Sequence, residues 1–179
     1  AEDSLISFYF KVADGVESID LSETSLEYNP IGTTAYNFRG IFDGNGCEFF
    51  VNIDRPNTSY AGLFGRLGEG AAVENLTVKG YVSALDYVGG VAGYSYKSKL
   101  KNVYNEAGVS GRAHVGGITG YSHTSEITES YNIAYVSAQG NNAGGIAGFA
   151  SASKIEYAFN FGEIMGAAYT GGIVGRAEN

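Results

Sequence analysis

The sequence predicts an all-β fold: a right-handed parallel β-helix, or β-solenoid, with rungs of 27 or 28 residues and an N-terminal β cap. Three observations predict it. A glycine motif returns at a nearly constant interval. The residues between motifs keep the same register. Each unit reads as three short strands and not as helices.

The motif occurs as Ala61-Gly62-Leu63-Phe64-Gly65, Gly89-Gly90-Val91-Ala92-Gly93, Gly116-Gly117-Ile118-Thr119-Gly120, Gly144-Gly145-Ile146-Ala147-Gly148 and Gly171-Gly172-Ile173-Val174-Gly175. Its central residues, 63, 91, 118, 146 and 173, are separated by 28, 27, 28 and 27 positions. Between motifs the alignment holds. Val73, Leu100, Ile127 and Ile155 form one apolar column, and Val82, Val109, Val136 and Ile164 another. Tyr104, Tyr131 and Phe159 align, followed by Asn105, Asn132 and Asn160. Ser98, Ser125 and Ser153 form a hydroxyl column, as do Ser83, Ser110 and Ser137.

Helical units would need apolar residues at three and four spacing over ten or more positions. The apolar stretches here are short and divided by Gly, Ser and Asn. A glycine inside a helix costs about 1 kcal/mol relative to alanine, so paired glycines in every unit argue for extended chain and corners. Stacked rungs lie about 4.8 Å apart. The row Leu63, Val91, Ile118, Ile146 and Ile173 is then interior, and the more variable Phe64, Ala92, Thr119, Ala147 and Val174 are expected on the opposite face. Glycines are expected where walls approach or φ turns positive. The Asn105 column is expected at a bend, in the left-handed region, with amides bonded rung to rung.

The organisation that follows is a single structural domain, with residues 1–40 as cap and lead-in strands and 41–179 as a solenoid of about five rungs. Leu5–Val12 reads as a strand that covers the first rung, since a bare edge invites pairing. After the last motif, Arg176-Ala177-Glu178-Asn179 leaves a partial rung. The expectation is that the natural chain continues there or that the open rung pairs with another chain. The opening Ala1-Glu2-Asp3 has no signal-peptide pattern, so a leader is expected to have been removed or the chain to be a piece of a longer one.

Composition excludes some functions. The net charge is −8 and the pI about 4.7. An acidic chain repels phosphate backbones and anionic lipid, so neither nucleic acid nor membrane insertion is expected. No stretch approaches the roughly 20 apolar residues that span a bilayer. Cys47 is the single cysteine, so no internal disulfide forms.

The Gly-Gly-Ile-x-Gly units at this spacing resemble the GLUG repeat of large bacterial cell-surface proteins, among them adhesins and the non-catalytic regions of IgA-specific metallopeptidases. Phe38-Arg39-Gly40-Ile41-Phe42-Asp43-Gly44-Asn45-Gly46 resembles the segment that often precedes such repeats, and Ile19-Asp20-Leu21 and Asn29-Pro30-Ile31-Gly32 fit the same lead-in. The resemblance covers about residues 17–179. Cys47 departs from it, since histidine is commoner there. The His-Glu-x-x-His zinc motif of the peptidases is absent from this sequence, so their chemistry does not carry over.

Candidate chemistry is sparse. A metal site needs three or four converging ligands, and His114 and His123 have no partners at metal-ligand spacing. Asp43-Gly44-Asn45-Gly46 lacks the further oxygen ligands of a calcium loop and reads as a tight turn. Polysaccharide cleavage needs two or three acids, or an acid with Arg or Lys, on neighbouring rungs of one face. Glu74 aligns with Lys101, Thr128 and Glu156, which puts the two acids about 14 Å apart. Glu106, Glu129 and Glu163 fall in other columns. The recurring glycines do not sit between a strand and a helix, so they are not phosphate loops.

The aromatic column Tyr94, Tyr121 and Phe149 is the candidate binding stripe if it faces outward, and a structural stack if it does not. The structural role is the favoured one, because repeated columns stack along a solenoid. The expected function is a non-catalytic structural or adhesive module of a bacterial cell-surface protein, extracellular, with a host glycan or matrix protein as partner and no cofactor or metal. The alternative is a carbohydrate-active β-helix enzyme of the lyase or hydrolase type. An ice-binding solenoid would need a flat threonine array, which the sequence lacks.

Overall fold

A computed structural model describes residues 8–23 and 28–179. Among these there is no helix, and the strands wind into a parallel β-solenoid of about six turns. The first turn carries β1 (Tyr9–Lys11) and β2 (Ser18–Leu21). The second carries β3 (Ile41–Arg55) and β4 (Phe64–Leu67). The third has β5 (Ala72–Ala84), β6 (Asp86–Gly89) and β7 (Ala92–Tyr96). The fourth has β8 (Lys99–Gly111), β9 (Ala113–Gly116) and β10 (Thr119–His123). The fifth has β11 (Glu126–Thr128), β12 (Tyr131–Asn132), β13 (Val136–Gly144) and β14 (Ala147–Ser151). The sixth has β15 (Lys154–Glu156), β16 (Phe159–Asn160), β17 (Ile164–Gly171) and β18 (Val174–Glu178).

Pairing between turns is parallel throughout, and its register is the one the repeat implies. Val73 pairs with Leu100, Leu100 with Ile127, and Ile127 with Ile155. The lead-in winds in the same way: Tyr9 pairs with Ile41, Ile19 with Phe49, Ile31 bridges Phe64 and Phe38 bridges Leu67. It therefore makes a turn of its own beneath the five that the glycine motif marks. The strand read at Leu5–Val12 appears as Tyr9–Lys11, and Leu5, Ile6 and Ser7 lie outside the described residues.

The core is a set of continuous rows. Leu63, Val91, Ile118 and Ile146 are fully buried, as are Val82, Val109 and Val136. Phe64, Ala92, Thr119 and Ala147 are buried as well, against the expectation that they take the opposite face. The chain bends at the motif, between β6 and β7 and at the equivalent places above, so two successive side chains turn away from solvent. Here the backbone folds back on itself. A Cβ on Gly93 would sit 2.6 Å from the carbonyl oxygen of Tyr87 and 2.7 Å from the Ala61 nitrogen. Only a residue without a side chain lets the two walls meet.

The asparagine column splits its two expectations. Asn105 Nδ2 donates to Asn132 Oδ1 at 2.7 Å, and Asn132 Nδ2 to Asn160 Oδ1 at 2.7 Å, so the amides do bond rung to rung. They do so inside the solenoid, with Asn105 and Asn132 fully buried, and not in left-handed backbone. Each amide also donates to a carbonyl two residues on, as Asn105 does to Ala107 at 2.8 Å, which satisfies the buried group. A second inner ladder joins Ser98, Ser125 and Ser153, whose hydroxyls accept from the backbone of the turn below at 3.1 Å.

The left-handed corners lie elsewhere, in three columns. Asn75, Asn102, Glu129 and Tyr157 form one, with φ between +51° and +56°. Gly70, Lys97, Thr124 and Ala152 form the second. Tyr60, Tyr87, His114, Asn142 and Tyr169 form the third, with φ between +52° and +69°. Asp43-Gly44-Asn45-Gly46, expected to be a tight turn, instead lies within β3 as an irregularity where the pairing with β5 shifts register: Asn45 has φ +53°, and its N–H donates to Asp43 Oδ1 at 2.9 Å. A left-handed residue with a side chain costs about 1 kcal/mol or more, so each column needs contacts that hold it.

Candidate functional site

Tyr94, Tyr121 and Phe149 are brought together as the sequence implies. They stand in register on β7, β10 and β14. The Tyr94 and Tyr121 rings are 5.2 Å apart at 21°, and those of Tyr121 and Phe149 4.7 Å apart at 19°. Parallel pairing sets that spacing, because identical positions on neighbouring turns are one strand separation apart. Tyr94 and Tyr121 are half-buried and Phe149 is buried. Burial pushes the Tyr94 and Tyr121 hydroxyls upward, away from ionisation.

A second column runs beside the first. It is the left-handed corner of Tyr60, Tyr87, His114, Asn142 and Tyr169. Tyr60 stacks on Tyr87 at 4.8 Å and 4°, and Tyr87 on His114 at 4.9 Å and 6°. The two columns interlock edge to face, with Tyr87 against Tyr94 at 81° and His114 against Phe149 at 85°. Arginines close both ends. The Arg66 guanidinium lies 4.7 Å from the Tyr60 ring and 4.6 Å from Tyr94. That of Arg176 lies 5.7 Å from Phe149 and 5.0 Å from Tyr169. The column on the β-strands is thus Arg66, Tyr94, Tyr121, Phe149 and Arg176, with a cation over each terminal ring.

In this double ladder the ring faces are taken by neighbouring rings or guanidinium groups. Tyr169, at the end of its column, stays 55% exposed. Edge-to-face and offset contacts add about 0.5–1.5 kcal/mol per pair beyond area burial, which offsets the cost of the left-handed backbone. Tyr94, Tyr121 and Phe149 thus stack along the axis of the solenoid.

His114 is the titratable member. Its Nδ1 lies 2.9 Å from Asn142 Nδ2, a contact that requires an unprotonated Nδ1. Burial holds its pKa below the usual histidine value, Arg176 adds to that, and Asp86 opposes it. Asp86 is itself paired with Arg112. Asn142 Oδ1 is buried and has no hydrogen-bond partner among the described residues. His123 lies 5.4 Å from the Tyr96 ring and stacks with Tyr121 at 6.2 Å and 15°.

Sequence reasoning missed the second column and both arginines. The signal was present: positions 60, 87, 114, 142 and 169 are spaced by 27, 27, 28 and 27. The mixture of Tyr, His and Asn hid it, and tyrosine does not ordinarily mark a left-handed corner.

The acidic groups of the described residues are interleaved with lysines on neighbouring turns. Glu74 and Glu156 share a column, with Lys101 and Thr128 between them. Glu126 contacts Lys99 at 4.0 Å and Lys154 at 3.5 Å, and Glu129 contacts Lys101 at 3.5 Å. Among the described residues there is no group of three His, Cys, Asp or Glu side chains able to hold a metal ion. A cleft of about 310 Å³ lies beside Arg55, lined by Tyr28 and residues 52–58. Arg55 is committed there to Tyr28 O at 3.1 Å and Asn29 Oδ1 at 2.9 Å.

No family model matches the chain. A protein of Evansella cellulosilytica, provisionally described as a Gly-rich membrane protein, is 39% identical over 88 residues, which are 45% of this chain and 10% of that protein. The chain thus spans about a tenth of the length of the curated relative it matches. The crystal structure of a protein from Bacteroides ovatus, provisionally described as an immunoglobulin A1 protease, superposes with a TM-score of 0.68. The match covers 97% of this chain and 68% of that one at 21% identity. At that identity the likeness is one of fold: the two chains share their solenoid architecture.

Proposed function

We propose that the chain is a non-catalytic module of a bacterial cell-surface protein, a stiff rod that presents a repetitive face to a host glycan or matrix protein. The observation that carries this reading is the continuity of the ladders. Core rows, an interior amide ladder, a serine ladder and the double aromatic ladder all run from turn to turn in one register. Contacts run mainly between adjacent turns, so the molecule approximates a one-dimensional stack. Such a stack suits extension and display.

The charged residues support a non-catalytic role, because the acids that share columns are spaced by other residues or held by lysines. An extracellular bacterial setting draws support from the two similar proteins, one provisionally described as a membrane protein and one as an immunoglobulin A1 protease.

The test is binding of the purified chain to an array of glycans and host-matrix proteins. Saturable binding to one partner, without turnover of it, is the expected result. Silence across the array overturns the display reading and leaves a spacer. Release of new reducing ends from any arrayed polysaccharide overturns the non-catalytic reading.

A further inference from the structure

One outward column differs from the aromatic ladders. It runs Asn52, Tyr81, Gly108, Tyr135 and Glu163 across the face formed by β3, β5, β8 and the fifth and sixth turns. Gly108 interrupts it. Three atoms of the Tyr135 ring lie 2.4–2.7 Å from where a Gly108 Cβ would stand. The ring therefore lies down on the turn below, in the space the glycine leaves, and Gly108 is buried beneath it. Tyr81 leans toward the same turn from the other side, its hydroxyl 3.2 Å from Ser110 Oγ. Neither ring pairs with another ring among the described residues. Tyr135 keeps 43% of its surface exposed.

In the ladders the rings cover one another, whereas no ring among the described residues covers Tyr81 or Tyr135. A pyranose is recognised through its axial C–H groups, which pack on an aromatic face, and through its hydroxyls, which need hydrogen-bonding groups alongside. The row Ser83, Ser110 and Ser137 supplies hydroxyls one column away. The Tyr81 and Tyr135 backbones stand two turns apart, about 9.6 Å, and both side chains reach over the turn between them. Charge selects the occupant. The nearby cation, Lys79, is held between Glu48 at 2.7 Å and Glu106 at 3.5 Å, and Glu163 and Asp54 are exposed acids on the same face. A uronate or sulfated chain is repelled there. A neutral chain is not.

We propose that the face over Gly108, floored by Tyr81 and Tyr135 and flanked by Ser110 and Ser137, is a binding platform for a neutral pyranose chain. This rests on the display reading above and names its site and ligand class. It also moves the contact surface away from Tyr94, Tyr121 and Phe149.

The experiment is a titration of the purified chain with cellohexaose, chitohexaose and mannohexaose while tyrosine ring signals are followed by NMR. At least one of the three is expected to shift Tyr81 and Tyr135 saturably and to leave Tyr94 and Tyr121 unmoved. Tyr135→Ala weakens that binding about tenfold or more, Tyr135→Phe retains it, and Tyr121→Ala leaves it unchanged. Gly108→Val, which lifts the ring off the sheet without deleting it, weakens it as well. The platform is overturned if none of the three sugars moves the Tyr81 and Tyr135 signals, or if binding survives Tyr135→Ala in a folded protein. If the array finds a partner while these sugars are silent, the display reading stands and the platform alone falls. Silence in both removes both.

Discussion

The double aromatic ladder and the Gly108 face are built from the same residue types on the same stack, yet they end in opposite states. In the ladder every turn contributes a ring, a histidine or an asparagine, and rings at strand spacing cover one another. On the Gly108 face one turn contributes nothing, and the neighbouring rings fall flat into the gap. Repetition without interruption yields structure; one omission yields an open surface. The comparison teaches that on a solenoid the informative position is the one where a column breaks.

That contrast can be sharpened in order of expected effect. The ladder corner depends on the close wall at Gly93, so Gly93→Val drives a side chain into the backbone of Tyr87 and Ala61. A loss of about 3 kcal/mol or outright failure to fold is expected, as for other overpacked sites. Chemical denaturation checks it. Next comes Asn132→Leu, which removes one partner from the buried Asn105 amide and from the half-buried Asn160 amide and costs about 2 kcal/mol. Tyr121→Ala removes a ring stacked on both faces, and about 2 kcal/mol is expected by the same measurement. On the Gly108 face, Tyr135→Ala removes a half-exposed ring without a ring partner. It should cost about 1 kcal/mol or less, and a loss as large as that of Tyr121→Ala would show that Tyr135 is a structural clamp.

The smallest effect is one of pH. The folded pKa of His114 is depressed, so the folded state binds its proton less readily than the unfolded state does. The stability this confers is present above the unfolded value near 6.5. It is lost as the pH falls through that value toward the folded pKa. Urea midpoints taken between about pH 7.5 and pH 5 should decline in the native chain. The decline should be shallower in His114→Gln, and an identical slope in both would remove His114 as its source.

The turn length, the interior rows and the parallel register were legible because they are carried by spacing. The Tyr94 column was legible as a stack for the same reason. The left-handed corners were not. Backbone sign has no fixed residue signature when Tyr, His, Lys and Thr all take it, and the asparagines that looked like corner residues were those with buried amides. Nor was the burial of Phe64 and its column legible, since a bend inside the motif breaks the strand alternation on which the inside and outside assignment rested. The lead-in turn was hidden because Ile31 and Phe38 bridge as single residues, without the motif. The Gly108 platform was invisible for a different reason: an absent side chain has no chemistry to read until the neighbours that use its space are placed.

One feature of the fifth turn bears on how such molecules change with descent. Ala138 pairs with Gly111 at an offset of 27 residues, and Ala143 with Val115 at an offset of 28. The additional residue is absorbed at Gln139–Asn141, where the ladder shifts and then resumes with Asn141 opposite Ala168. A winding that swallows a stray codon at one bend and recovers its phase within a few residues does not need its gene copied faithfully to the letter. Whole units can be duplicated or dropped by slippage, and small errors in length stay local. Length in such a rod is then among the easiest traits for a lineage to alter, while the packed cross-section is inherited almost unchanged.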